Sequence, residues 1–533
     1  MTVNIVKELL GQPDLAWDVE DGKTASNLAR NNSLGVGISV PRIHAEHLPL
    51  LNPLGDPANT NSRAPFDYLT AKNVDVAITE LRKTAYAGFN FEGRGGRSGL
   101  GLTIAQARAN TLVWQSIEAE AGATGAVIFF EGAIYQFAQL IAGAGLYASY
   151  ILPWNSGPLA VVGAAKGTEF QVHADDGVAP LFHVAGTGES VVVSDVTFRN
   201  TPGLILTGAE IDFGISTGSH QSVTLLRCGT INKGPNFGNT GATTCTRLLV
   251  DSCNLEGPWR ISGWTNVAVQ KNALGSGAKA STLTVSSSGA AAATRTIKIL
   301  SNYSTATVKT DIVMSGAVAD GDFVVYDNSL SKGNIEVGEV SNTTIENNRL
   351  FKGTIRQNNG VTATFDHVIA GNEINNASTG DYVHGIHIST TKDMHEMRIS
   401  GNKVANSVEG GIYIISTGAT QDRWSITDNL LINSHTTPVA EGSIHYEGND
   451  AASGMKDSFI TRNKIIASSN LALPEWGIKV AGAGAAHSGN YCWLNYVKGY
   501  VTDVTSFPAG WIEPTIFVDA GYANGQMDGG AAV

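Results

Sequence analysis

Val267-Ala-Val-Gln-Lys-Asn272, Ile297-Lys-Ile-Leu-Ser-Asn302 and Phe323-Val-Val-Tyr-Asp-Asn328 are copies of one phrase: alternating apolar residues, a polar step, then Asn. It returns as Thr344-Ile-Glu-Asn-Asn348, His367-Val-Ile-Ala-Gly-Asn372, Met397-Arg-Ile-Ser-Gly-Asn402, Trp424-Ser-Ile-Thr-Asp-Asn429 and Ser458-Phe-Ile-Thr-Arg-Asn463. The Asn-to-Asn steps are 30, 26, 20, 24, 30, 27 and 34 residues. Val, Ile, Thr, Gly and Asn dominate, and no long 3.6-residue stripe appears. This predicts an all-β solenoid of strands rather than helical repeats. One turn cannot bury its apolar face alone, whereas stacked turns can. Asn suits the bend because it tolerates the left-handed conformation, and stacked side-chain amides can bond to one another.

A second phrase lies between the first: Lys332-Gly-Asn-Ile-Glu336, Lys352-Gly-Thr-Ile-Arg356, Val383-His-Gly-Ile-His387, Glu409-Gly-Gly-Ile-Tyr413, Glu441-Gly-Ser-Ile-His445 and Glu475-Trp-Gly-Ile-Lys479. In a strand the Ile faces the core and the next residue faces outward. One exposed column is therefore expected to run Glu336, Arg356, His387, Tyr413, His445, Lys479. A parallel column runs Lys332, Lys352, Val383, Glu409, Glu441, Glu475, with charge reversing along it. Neighbouring rungs sit ~4.8 Å apart.

The chain has 533 residues, 35 basic and 47 acidic, for a net charge of −12. Charged residues make up 15% of it, against roughly 25% in an average globular protein. An acidic chain without a basic tract is a poor nucleic-acid binder. Cys228, Cys245, Cys253 and Cys492 lack metal or disulfide spacing and read as buried apolar side chains. The N-terminus has no basic, apolar leader, so no signal peptide is expected. The uncharged stretch 132–165 is broken by Gly and Pro and reads as buried strands, not a membrane span.

Residues 1–66 are irregular. Across 68–83, Val74, Ala77, Ile78 and Leu81 form a single helical stripe that needs a partner. The Gly-rich stretch 93–101 reads as a flexible joint ahead of a helix opened by a Thr103–Gln106 capping box. No GxGxxG or GxxxxGK[ST] frame fits it, and no cofactor is expected.

The repeats resemble the right-handed parallel β-helix proteins of the pectate-lyase-like superfamily over about 190–500. Upstream, the helix at 103–121, Gly125-Ala-Val-Ile-Phe-Phe-Glu-Gly-Ala-Ile-Tyr135 and Leu159-Ala-Val-Val-Gly163 resemble that family's capping helix and opening turns. Glu131 stands where the family has Pro, and one residue is extra before Tyr135. Asn73-Val-Asp-Val-Ala-Ile-Thr-Glu-Leu81 resembles a segment of phage tail fibres and tailspikes. The resemblance implies a homotrimeric phage tailspike, carried in the virion and assembled in the host cytoplasm. It would bind and depolymerise a bacterial surface polysaccharide. The implied division is 1–92 for attachment to tail or baseplate proteins and oligomerisation, 93–124 for hinge and capping helix, 125–500 for the β-helix, and 501–533 for a closing segment.

For chemistry, Gly214-Ile-Ser-Thr-Gly218 matches GxSxG, but no helix follows to make Ser216 a nucleophile. His384 and His387 lie three apart in a strand and are expected to face opposite ways, so no metal is expected there. The columns offer more. Glu409 and Glu441 are the expected catalytic carboxylates, with His387 and His445 as proton carriers. Arg356, Tyr413, Glu475, Trp476 and Lys479 are the expected substrate contacts, with Trp424 as a further stacking candidate. Hydrolysis is favoured, with β-elimination on a uronate-containing glycan or non-catalytic binding as alternatives.

Overall fold

The computed structural model describes residues 87–519, apart from short internal stretches of which 200–210 is the longest. The helix expected over 68–83 and most of the expected attachment region lie outside the described residues. The chain divides into two compact units, residues 1–208 with 218–228, and 209–217 with 229–533.

In the first unit the strands Ala87–Asn90, Ala126–Phe129, Leu159–Val162, Ser190–Ser194 and Ser222–Leu226 stack in one parallel ladder. Residues 87–90, placed with the attachment region by sequence, are thus already a rung of the solenoid. Helix α1, Ile104–Ala121, begins at the predicted capping box: Thr103 accepts from the Gln106 backbone, and Gln106 returns the bond. It buries Trp114 and Ile117, and the Trp114 indole donates to the Pro153 carbonyl at 2.8 Å. Phe91, Tyr135, Phe137 and Phe170 pack edge to face below. The Gly-rich stretch is not left as a loose joint. Buried Asn110 holds both backbone groups of Arg97 at 2.8 Å, and the Gly99 amide donates to Ile134. The uncharged stretch 132–165 contains the short strands Ile134–Phe137, Leu152–Trp154 and Leu159–Val162.

In the second unit a turn typically supplies three strands, and at 420–427 and 454–461 the first of them is broken in two. First strands such as Arg295–Leu300, Gly321–Tyr326, Thr343–Glu346, Thr364–Ala370 and Met394–Ser400 pair in parallel, each on the next. Second strands such as Arg349–Phe351, Glu373–Asn375 and Lys403–Ala405 do likewise. Third strands run from Ile312–Ser315 through Ile335–Val337, Ile355–Asn359, His384–Thr390, Gly410–Ser416 and Gly442–Gly448 to Trp476–Gly482. Crossovers between parallel strands are right-handed in ≈98% of cases, and the fold is a right-handed parallel β-helix. The core is a stack of isoleucines: Ile335, Ile355, Ile386, Ile412, Ile444 and Ile478 occupy successive rungs in register and are fully buried. Burying each contributes ≈1.5–3 kcal/mol. The strands Thr502–Val504 and Trp511–Asp519 continue the ladders beyond residue 500.

The Asn residues form a continuous ladder inside the bend. Asn348 Nδ2 donates to Asn372 Oδ1 at 3.0 Å, Asn372 to Asn402 at 2.9 Å, Asn402 to Asn429 at 3.0 Å and Asn429 to Asn463 at 2.9 Å. Each Oδ1 also accepts the backbone amide of the preceding Asn. The reason expected for Asn is corrected. The left-handed residue is the one before it: Lys271, Ser301, Asp327, Asn347, Gly371, Gly401, Asp428 and Arg462 have φ between 53° and 65°. Asn is required for its two-ended amide, not for its backbone tolerance. Cys253 occupies the equivalent place above the ladder, its amide donating to Asn272 Oδ1. Cys228, Cys253 and Cys492 are buried, as expected.

Candidate functional site

The predicted outward column exists in register. Glu336 pairs with Arg356, Arg356 with His387, His387 with Tyr413, Tyr413 with His445, and His445 with Lys479. It is not uniformly exposed, however. Tyr413 and His445 keep only 8% and 3% of their surface, because neighbouring rings cover them. His384 stacks on Tyr413 with ring centroids 4.4 Å apart and 10° between planes. His387 and His445 lie tilted at 5.3 and 5.2 Å from the same ring.

His384 and His387 therefore share one face, with rings 5.0 Å apart, contrary to the alternation expected of a strand. Gly385 explains this. A Cβ on Gly385 would meet Val404 Cγ1 at 2.3 Å, so its α-carbon is pressed against the core. Ile386 follows it inward, fully buried. Two successive inward positions put the residues on either side of them, His384 and His387, on the outer face. Gly411 and Ile412 repeat the arrangement one turn later, a Gly411 Cβ meeting Leu431 at 3.0 Å. Among the described residues, no group of three or more His, Cys, Asp or Glu side chains could hold a metal ion.

Two carboxylates reach this cluster. Glu409 Oε2 lies 3.7 Å from His384 Nε2. The Tyr413 hydroxyl donates to Glu447 Oε2 at 2.6 Å, the short distance of a charge-assisted bond. Glu447 was missed by the sequence reading. The available signal was strand alternation, since 447 faces the same way as 445. At one end of the column Arg356 Nη1 lies 4.0 Å from Glu336. At the other, the Lys479 ammonium sits over the Trp476 ring, 4.2 Å from its centroid, a cation–π contact. Trp424 is not a surface platform. It is fully buried, and its indole donates to the Met394 carbonyl at 2.8 Å. Glu441, Glu475 and Ser216 lie outside the described residues.

The arrangement can move protons. A phenol bonded to a carboxylate lies among three imidazoles, groups of the kind that serve as general acids and bases. The row's cations are Arg356 and Lys479, set against the carboxylates of Glu336, Glu409 and Glu447.

No protein-family model matches the chain, and no curated protein matches it. Among solved structures, it is similar to the A-module of the mannuronan C-5 epimerase AlgE4 from Azotobacter vinelandii, with 10% identity, covering 80% of this chain and 99% of that one, and a TM-score of 0.39. Tailspike protein 3 of bacteriophage CBA120 is similar at 11% identity, over 75% of this chain and 61% of that one, with a TM-score of 0.35. An alpha-1,3-glucanase catalytic unit from Streptomyces thermodiastaticus is similar at 11% identity, over 76% and 68%, with a TM-score of 0.29.

Proposed function

We propose that this protein binds a bacterial surface polysaccharide across the third-strand face and cleaves it, as a phage tailspike. The observation that carries the reading is the Tyr413–Glu447 hydrogen bond, set among three histidines in a row that also holds Arg356 and Lys479. These are the parts needed for β-elimination on a uronate. A cation neutralises the sugar carboxylate, a base takes the proton beside it, and an acid protonates the departing glycosidic oxygen as the C–O bond breaks and a C=C bond forms. Tyr413, hydrogen-bonded to Glu447, and His387, which is only half-buried, are the two proton carriers. Arg356 and Lys479 hold the acidic sugars, and Trp476 flanks them.

Hydrolysis is the second reading, favoured by Glu409 and Glu447 both reaching the cluster, since it requires two carboxylates. Incubation with a panel of acidic capsular polysaccharides distinguishes the outcomes. Elimination yields fragments that absorb in the ultraviolet, hydrolysis yields reducing ends without that absorbance, and fragments of neither kind from a polysaccharide that binds would overturn cleavage. In the same reading the chain is a homotrimer joined to tail or baseplate proteins through residues 1–92, assembled in the host cytoplasm and carried in the virion.

A further inference from the structure

The first strands of the second unit carry a separate feature on their outer face. Left-handed residues recur toward both ends of several of these strands. Asn342, Asp366, Glu396 and Arg423 line one flank, with φ from 51° to 59°, and Asn347, Gly371, Gly401, Asp428 and Arg462 line the other, from 55° to 65°. The floor between the flanks is low, because Val324, Thr344 and Val368 stack in register there. Two depressions result, of about 490 and 510 Å³, and they share Arg398. The first reaches from Lys298 to Arg398, across four rung steps of ~4.8 Å, or roughly 19 Å.

The charges of this gutter are largely settled among themselves. Arg462 forks onto Asp428 with two bonds of 2.8 Å. Arg423 Nη1 reaches Glu396 Oε1 at 2.6 Å. Glu396 also shares a hydrogen bond with Asp366, which raises the Glu396 pKa. What is left is Lys298 and Arg398 against Asp322, Glu346 and Asp366, two cations and three carboxylates. Such a surface has little net field but many alternating donors and acceptors.

We infer that this gutter is a second glycan-binding surface, for a neutral, hydroxyl-rich chain laid along the stacking direction of the turns. Val324, Thr344 and Val368 meet the apolar faces of the sugar rings, and the flanks read hydroxyls. The surface does not depend on the chemistry at Tyr413. The test applies the full-length protein to an array of neutral hexose oligosaccharides alongside acidic ones. Val368→Trp raises the floor, and Arg398→Ala removes the shared guanidinium; Arg398 is exposed, so its loss leaves the core intact. The expected result is binding to at least one neutral oligosaccharide, weakened about tenfold or more by either substitution and unchanged by Tyr413→Phe. The inference is overturned if the protein holds no neutral oligosaccharide, or if both variants bind as well as the parent. It is also overturned if either substitution dissociates an oligomer in light scattering, which would make the gutter a contact between copies.

Discussion

Tyr413 and Glu447 form the contact on which the chemistry turns, and it is testable by two small substitutions. Tyr413→Phe deletes the hydroxyl and keeps the ring stack; Glu447→Gln keeps the shape and removes the charge. Each should lower depolymerisation by about 10²–10⁴-fold, with an unchanged circular-dichroism spectrum and retained polysaccharide binding. Glu409→Gln weighs the two chemistries: a comparable loss favours hydrolysis, and a loss under tenfold favours elimination. A different residue sets the response to acid. His367 is fully buried, taking a hydrogen bond from the Gln357 amide on Nδ1 and giving one to Thr364 from Nε2, both 2.9 Å. Burial lowers its pKa from 6.5 to about 4. The unfolded chain therefore binds the proton first, and stability falls as pH drops from about 6.5 to about 4, by roughly 3 kcal/mol at most. Denaturant midpoints measured across that window should show the fall, and His367→Gln should flatten it.

Within the repeat the Asn ladder is the element most exposed to a single change. Asn372→Ala would remove two donated bonds, to the Ile345 carbonyl and to Asn402 Oδ1. It would also leave the buried backbone amide of Asn348 without its acceptor and take one of three acceptors from the Asn348 side chain. Buried groups left unsatisfied cost ≈1–3 kcal/mol each, so a loss of about 2–5 kcal/mol is expected, read as a lowered urea midpoint. Asn272, whose own Oδ1 serves Cys253, should cost less, because cysteine gives it no amide partner. The repeat was legible because a ladder demands one residue type at one place in every turn, and so did the isoleucine stack. The outward column was legible for the same reason. What failed to show was any local exception to alternation. The Gly385–Ile386 pair turns His384 outward through its closeness to Val404, a neighbour 19 positions along the chain whose proximity no local pattern states. Burial of Tyr413 and Trp424 was hidden likewise, since it depends on other turns, which supply the histidine rings around Tyr413 and the Met394 carbonyl that Trp424 bonds.

At the scale of the whole molecule, the proposed trimer follows from what the sequence leaves without a partner, the one-stripe segment at 68–83. Light scattering should give three times 55.8 kDa for the full chain, and a stable monomer at micromolar concentration would contradict the reading. The two proposed surfaces, one on third strands and one on first strands, need not act on the same length of glycan. Loss of one should leave binding at the other, which the array measures directly.

The ladder has one more consequence, for how such a chain changes in length. Each Asn presents the same two ends, an amide nitrogen toward one neighbour and an oxygen toward the other, so any rung can follow any other. Excising residues 254–272, the span from just after Cys253 through Asn272, would bring Cys253 above Asn302, whose Oδ1 offers the same acceptor that Asn272 did. The solenoid is in this sense modular: it tolerates deletion in units of a whole turn far better than deletion of half that length, which would shift every later side chain out of its column. A 19-residue excision should keep a cooperative unfolding transition, and a 10-residue excision from the same place should abolish it.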